Sequence, residues 1–188
     1  MDNLYNFFET VKKNLIVKSG TELSRIDNFD RYYGLLERYF AINCGEWLNK
    51  RYKNYGDRAS RNLFWEVFAF NELDSERGDS AIKAFNNIKP EKCIVLQIPD
   101  FAEPVGAKNC FMLEGLYDTT NLSDYSEFKF IKDLIRQKVA IPFWTIDYLS
   151  QHIGKELYVF DDSFKWMLNL THENEIYFHR TVQNEIFI

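Results

Sequence analysis

The residue types best suited to chemistry fall late in the chain. All three histidines, His152, His172 and His179, lie in its last quarter. With Asp147 or Glu173 beside them, His152 and His172 could hold a divalent metal or form an acid–base pair. That arrangement underlies one functional reading, a metal-dependent hydrolase using His152, His172 and Glu173. No HxH, HxxxH or HExxH spacing supports it. Asp161-Asp162 offers carboxylates to a cation, but calcium loops need several spaced oxygen ligands and usually a glycine. An Asp-Asp-Ser cluster is explained by turn formation alone. Cys44, Cys93 and Cys110 are widely spaced and form no CxxC pair, so neither a disulfide framework nor a zinc site is expected. Cys93 and Cys110 read as small buried hydrophobes. The chain has no GxSxG, GxGxxG or GxxxxGK[ST] motif, the signatures of a serine nucleophile and of nucleotide cofactors. No catalytic residue, metal or cofactor is assigned, and a non-enzymatic role is expected.

Charge patterning says more. Between Pro99 and Phe128 stand six acids, Asp100, Glu103, Glu114, Asp118, Asp124 and Glu127, against one base, Lys108. The net of −5 over this stretch equals the formal charge of the whole chain. Phe101, Tyr117 and Tyr125 are interleaved with the acids. Aromatic and acidic residues together on loops suit the gripping of a basic protein surface. The expected partner-binding set is therefore Asp100, Phe101, Glu103, Glu114, Tyr117, Asp118, Asp124 and Tyr125. A solvated acidic face is the plainer alternative. The converse patch, Lys50, Arg51, Lys53, Arg58 and Arg61 with Tyr52 and Tyr55, could meet phosphates, but it also suits a solvated segment between helices. A net charge of −5 disfavours general nucleic-acid binding, which needs a basic surface to displace counterions.

These groups must be positioned by ordinary globular structure. The chain has 188 residues, 46% hydrophobic and 27% charged, with 17 Phe and 11 Tyr. That is enough apolar material for one core. The N-terminus, with acids early and no long apolar run, does not read as a secretory signal, and no stretch reaches the ~18–20 apolar residues of a membrane helix. A cytoplasmic location is expected, which reduced thiols suit.

Apolar spacing predicts helices in the first half. One stripe is Leu4, Phe7, Phe8, Val11 and Leu15. A second is Tyr32, Leu35, Leu36, Tyr39 and Phe40. Residues 60–73 carry apolar side chains on most of their circumference. Ile82, Phe85 and Ile88 form a narrow stripe that Pro90 ends. The second half is mixed. Residues 93–98 read as a central strand buried on both faces, and residues 110–116 as another. The segment 99–109, with two prolines and a glycine, reads as a loop. A helix follows Ser123, and a brief one spans Thr145 to Ile153. Residues 156–172 read as a hairpin turning at Asp161-Asp162-Ser163. A three-residue loop sets Phe160 opposite Phe164 and Tyr158 opposite Trp166, putting the four rings on one face with Lys165, Asn169 and Thr171 on the wetter face. The same register sets His152 across from His172. Residues 175–180 and 185–188 read as edge strands.

Two segments also carry a resemblance. Residues 64–96, with Trp65 and Phe68 in a W-x-x-F helix, and residues 157–173, with Asp161, Phe164 and Trp166 in a D-x-x-F-x-W core and Thr171-His172-Glu173 at its exit, resemble a bacterial domain family of unknown function. The hairpin is more loosely similar to C-terminal segments of immunity proteins from polymorphic-toxin systems. The resemblance covers about a third of the chain and rests on core aromatics, so it implies fold more than activity. It implies a protein partner, a cognate toxin whose active site is occluded, and the acidic stretch implies that this partner is basic.

The expected fold is α+β: a helical N-terminal part, then a mostly antiparallel sheet of about four to six strands packed against helices and ending in the hairpin. One domain, 1–188, is expected, within which residues 1–56 can form a helical subdomain. The expected function is a cytoplasmic immunity or inhibitor protein. The alternatives are the hydrolase above and a small-molecule sensor with an aromatic pocket.

Overall fold

The computed structural model describes residues 9–13, 21–36, 38, 68, 74–97, 109–115, 141–153, 156–171 and 173–180. Its elements run β1 (Glu22–Arg25), α1 (Phe29–Leu36), β2 (Glu76–Arg77), α2 (Asp79–Ile88), β3 (Lys92–Gln97), β4 (Asn109–Glu114), α3 (Ile141–Ile153), β5 (Leu157–Phe160), β6 (Trp166–Leu170) and β7 (Ile176–Arg180). The strands form one seven-stranded sheet in the order β1-β4-β3-β5-β6-β7-β2, and every neighbouring pair is antiparallel. The fold is mixed α+β with a wholly antiparallel sheet. Among the described residues it has seven strands rather than four to six. The short β1 and β2 carry too few apolar residues to show as strands in the sequence.

Helices cover both faces of the sheet. On one face Cys93, Val95, Phe111, Leu113, Leu157, Val159, Trp166, Leu168 and Phe178 pack with Ala81, Ala84 and Phe85 of α2 and with Ile146, Tyr148 and Leu149 of α3. On the other, Ile94, Leu96, Cys110, Tyr158, Phe160, Met167 and Tyr177 pack with Tyr32 and Leu36 of α1 and with the helical Phe68. A sheet buried on both sides loses the apolar–polar alternation of a half-exposed one. This is why β3 reads as a continuous apolar run, with Cys93 to Gln97 all buried, as its sequence predicts.

Local chemistry explains the helix boundaries. Gly78 (φ 53, ψ −128) joins β2 to α2, a backbone region closed to residues with a Cβ. Its N–H donates to Ile176 O at 3.0 Å, fixing the helix start to β7. The α2 stripe lies on Phe85, fully buried, with Ile82 and Ile88 beside it. The helix ends at Lys89, which is left-handed (φ 53), before Pro90. α3 begins at Ile141 rather than Thr145, because Pro142 is tolerated in a first turn, where its missing N–H has no helical acceptor. Tyr32 and Leu36 are buried on α1. Tyr39, Phe40, the first stripe apart from Val11, and the helix after Ser123 lie outside the described residues.

The terminal hairpin forms where expected but in another register. Leu157 pairs with Leu170, Tyr158 with Asn169 and Val159 with Leu168. Five residues, 161–165, separate the strands. This register is shifted by three from the expected one, and an odd shift exchanges faces. Trp166 packs on the α2–α3 face, with its ring 5.7 Å from Phe85 and 6.2 Å from Phe178. Tyr158, Phe160 and Phe164 lie on the α1 face. Asn169 and Thr171 are buried rather than wet. The strand at 176–180 is not an edge, since β2 pairs outside it. Residues 185–188 lie outside the described residues.

Candidate functional site

Of the eight residues expected to bind a partner, Glu114 is described. Asp100, Phe101, Glu103, Tyr117, Asp118, Asp124 and Tyr125 lie outside the described residues. Glu114 ends β4, between Glu22 on β1 and Lys92 on β3. The three side chains share the α1 side of the sheet, because they have the parity of Ile94 and Cys110. Lys92 Nζ lies 3.2 Å from Glu114 Oε1, with both side chains about half exposed (45% and 51%). A pair this exposed contributes about 0–1 kcal/mol. Glu22 stands directly opposite Glu114, a like-charge cross-strand pair that opposes the pairing of β1 with β4.

The turn of the terminal hairpin approaches this end. Ile94 pairs with Phe160, so Lys92 and Asp162 each lie two residues further on. Burial raises the Tyr32 hydroxyl pKa, and the Asp162 carboxylate adds to the rise. This end of the sheet therefore bears the exposed acids Glu22, Glu114 and Asp162 near the exposed Lys92. The sequence pointed to Glu114 alone. Glu22 and Lys92 join it through strand register, which local composition does not reveal.

The two halves of the expected acidic surface attach to opposite ends of β4. The segment with Asp100, Phe101 and Glu103 leaves β3 after Gln97 and returns at Asn109, where Asn109 Nδ2 donates to Gln97 Oε1 at 2.8 Å. The segment with Tyr117, Asp118, Asp124 and Tyr125 follows Gly115 (φ 77), whose N–H donates to Glu91 O at 3.1 Å. A six-residue strand sets these ends about 17 Å apart.

Beside the Asn109 end, a cavity of about 280 Å³ opens between the β1–α1 turn and Cys110, lined by Arg25, Asp27, Phe29, Asp30 and Arg31 among others. The neighbouring edge of β1 is covered at Thr21 and Leu23. Ile26 N–H donates to Cys110 O, so alternation turns the amides of Leu23 and Thr21 away from β4. Those residues are 1% and 0% exposed.

The other sequence candidates that are described take part in local structural contacts. His152 sits exposed in the last turn of α3, not on a strand, so the hairpin register does not bring it to position 172. Its Nδ1–H donates to Tyr148 O at 2.8 Å, and its ring stacks on Tyr148 at 4.0 Å. His172 lies outside the described residues. Asp147 accepts from Gln151 Nε2 at 2.8 Å. It stands five residues before His152, and so on a different side of the helix. Burial raises its pKa. His179 Nδ1–H donates to Asp74 O at 2.6 Å, and the ring lies against Phe68. Among the described residues no group of three or more His, Cys, Asp and Glu side chains is placed to hold a metal ion.

Asp161 is occupied as a turn residue. Its Oδ1 accepts from Ser163 N at 2.9 Å and from Ser163 Oγ, its Oδ2 accepts from Trp166 Nε1 at 2.8 Å, and its carbonyl accepts from Phe164 N at 3.1 Å. Cys93 and Cys110 are buried free thiols. Burial pushes the Cys93 pKa up strongly and that of Cys110 to about 12, which leaves both as inert core residues at neutral pH. Cys44 and the basic patch at Lys50–Arg61 lie outside the described residues. No described helix is long and apolar enough to cross a membrane. Comparison with protein-family models, with curated proteins and with solved structures finds no match to this chain.

Proposed function

We propose that this protein is a non-catalytic, cytoplasmic protein-binding domain, most concretely an immunity protein that neutralises a basic bacterial toxin by covering its active site. The observation that supports the reading is the pairing of Glu22 with Glu114 at the end of the sheet. Two exposed carboxylates in directly opposite positions weaken their own strand pair. A lysine or arginine from a partner relieves that repulsion and couples binding to it. The chain leaves this end through Gly115 into the segment carrying Tyr117, Asp118, Asp124 and Tyr125, so the acidic surface would continue from the sheet into that segment. Asp100, Phe101 and Glu103, attached at the other end of β4, would form a second contact group. The resemblance of the hairpin to immunity-protein segments points the same way.

The test is to mix the protein with the product of the gene adjacent to its own and to follow complex formation by size exclusion. A stable complex that is lost on Asp118→Lys with Asp124→Lys supports the reading. A tight complex indifferent to both substitutions overturns the proposed surface, and the absence of any complex overturns the proposed partner.

A further inference from the structure

We draw no further inference here: the strongest candidate, the cavity of about 280 Å³ between the β1–α1 turn and Cys110, is lined by Arg25, Asp27, Asp30 and Arg31, all exposed and cancelling in charge, so nothing in the structure shows which ligand would fill it.

Discussion

The indole N–H of Trp166 donates to Asp161 Oδ2 at 2.8 Å, tying the first residue of β6 to the first residue of the turn before it. Asp161 thus holds both the turn, through Ser163, and the strand. Asp161→Ala removes the side-chain acceptors together and is expected to destabilise by about 2–3 kcal/mol, since hydrogen bonds to a charged group contribute about 1.5–3 each and share one anchor here. Asp161→Asn keeps an acceptor for one side only and should cost less. Denaturant unfolding of Asp161→Ala, Trp166→Phe and the double variant measures the coupling, expected near 1 kcal/mol. Additive losses would show that the two side chains do not act through each other.

Phe164 has φ 51 and is 9% exposed, its ring 5.3 Å from Phe160. A left-handed non-glycine residue costs about 1–2 kcal/mol, whereas removing a buried phenylalanine ring costs about 3–5 kcal/mol. Packing outweighs strain, so Phe164→Gly should destabilise by about 2 kcal/mol. Lys89 has nearly the same φ, 53, but is exposed. With little packing to lose, Lys89→Gly should stabilise by about 0.5–1 kcal/mol. Opposite signs at two left-handed positions, read from thermal melts, check the argument; equal signs contradict it.

Those two residues also show what the sequence could and could not disclose. A helix ending before Pro90 is legible, because proline imposes it on any fold. The hairpin's place is legible from Asp161-Asp162-Ser163, but its register is not. Leu157 to Phe160 and Trp166 to Leu170 are buried on both faces, so alternation cannot tell one face from the other. The cue to a longer turn is a left-handed phenylalanine, where glycine would have announced it. The residues around the candidate surface divide in the same way. Glu114 stands out in an acidic stretch, while Glu22 and Lys92 reach it only through pairing across β4.

Buried thiols make stability fall at alkaline pH. The thiols of Cys93 and Cys110 are held well above their ordinary value of 9.0 by burial. Below pH 9 both folded and unfolded chains keep the protons. Above it the unfolded chain ionises first, so stability falls as pH rises toward the folded values. Each thiol contributes about 1.4 kcal/mol of loss per pH unit in that window. In a Cys44→Ser background, Cys93→Ala with Cys110→Ala should reduce the stability drop between about pH 8 and pH 10 by about 2–3 kcal/mol. Tyr32 and Tyr177, also raised by burial, add to the slope above pH 10. An unchanged drop would mean that the thiols are already ionisable in the folded protein.

The Glu22–Glu114 pair separates stability from binding. If the repulsion between these side chains is unrelieved in the free protein, Glu22→Lys should pair with Glu114 across the strands and stabilise by about 0.2–1 kcal/mol. The gain should shrink at high salt, because both positions are exposed and screened. Glu22→Gln should give a smaller gain, by removing the repulsion without adding attraction. If the same carboxylates meet a basic partner, Glu22→Lys should weaken the complex and slow its formation, since a charge at the contact acts chiefly on association. Stability measured by denaturant at low and high salt, and association followed by stopped-flow or surface binding, read the two effects separately. A variant that is more stable and binds as before would leave the strand pair as surface chemistry only. A variant that is less stable would show that Lys92 already neutralises both glutamates, and that the sheet end holds no charge tension for a partner to relieve.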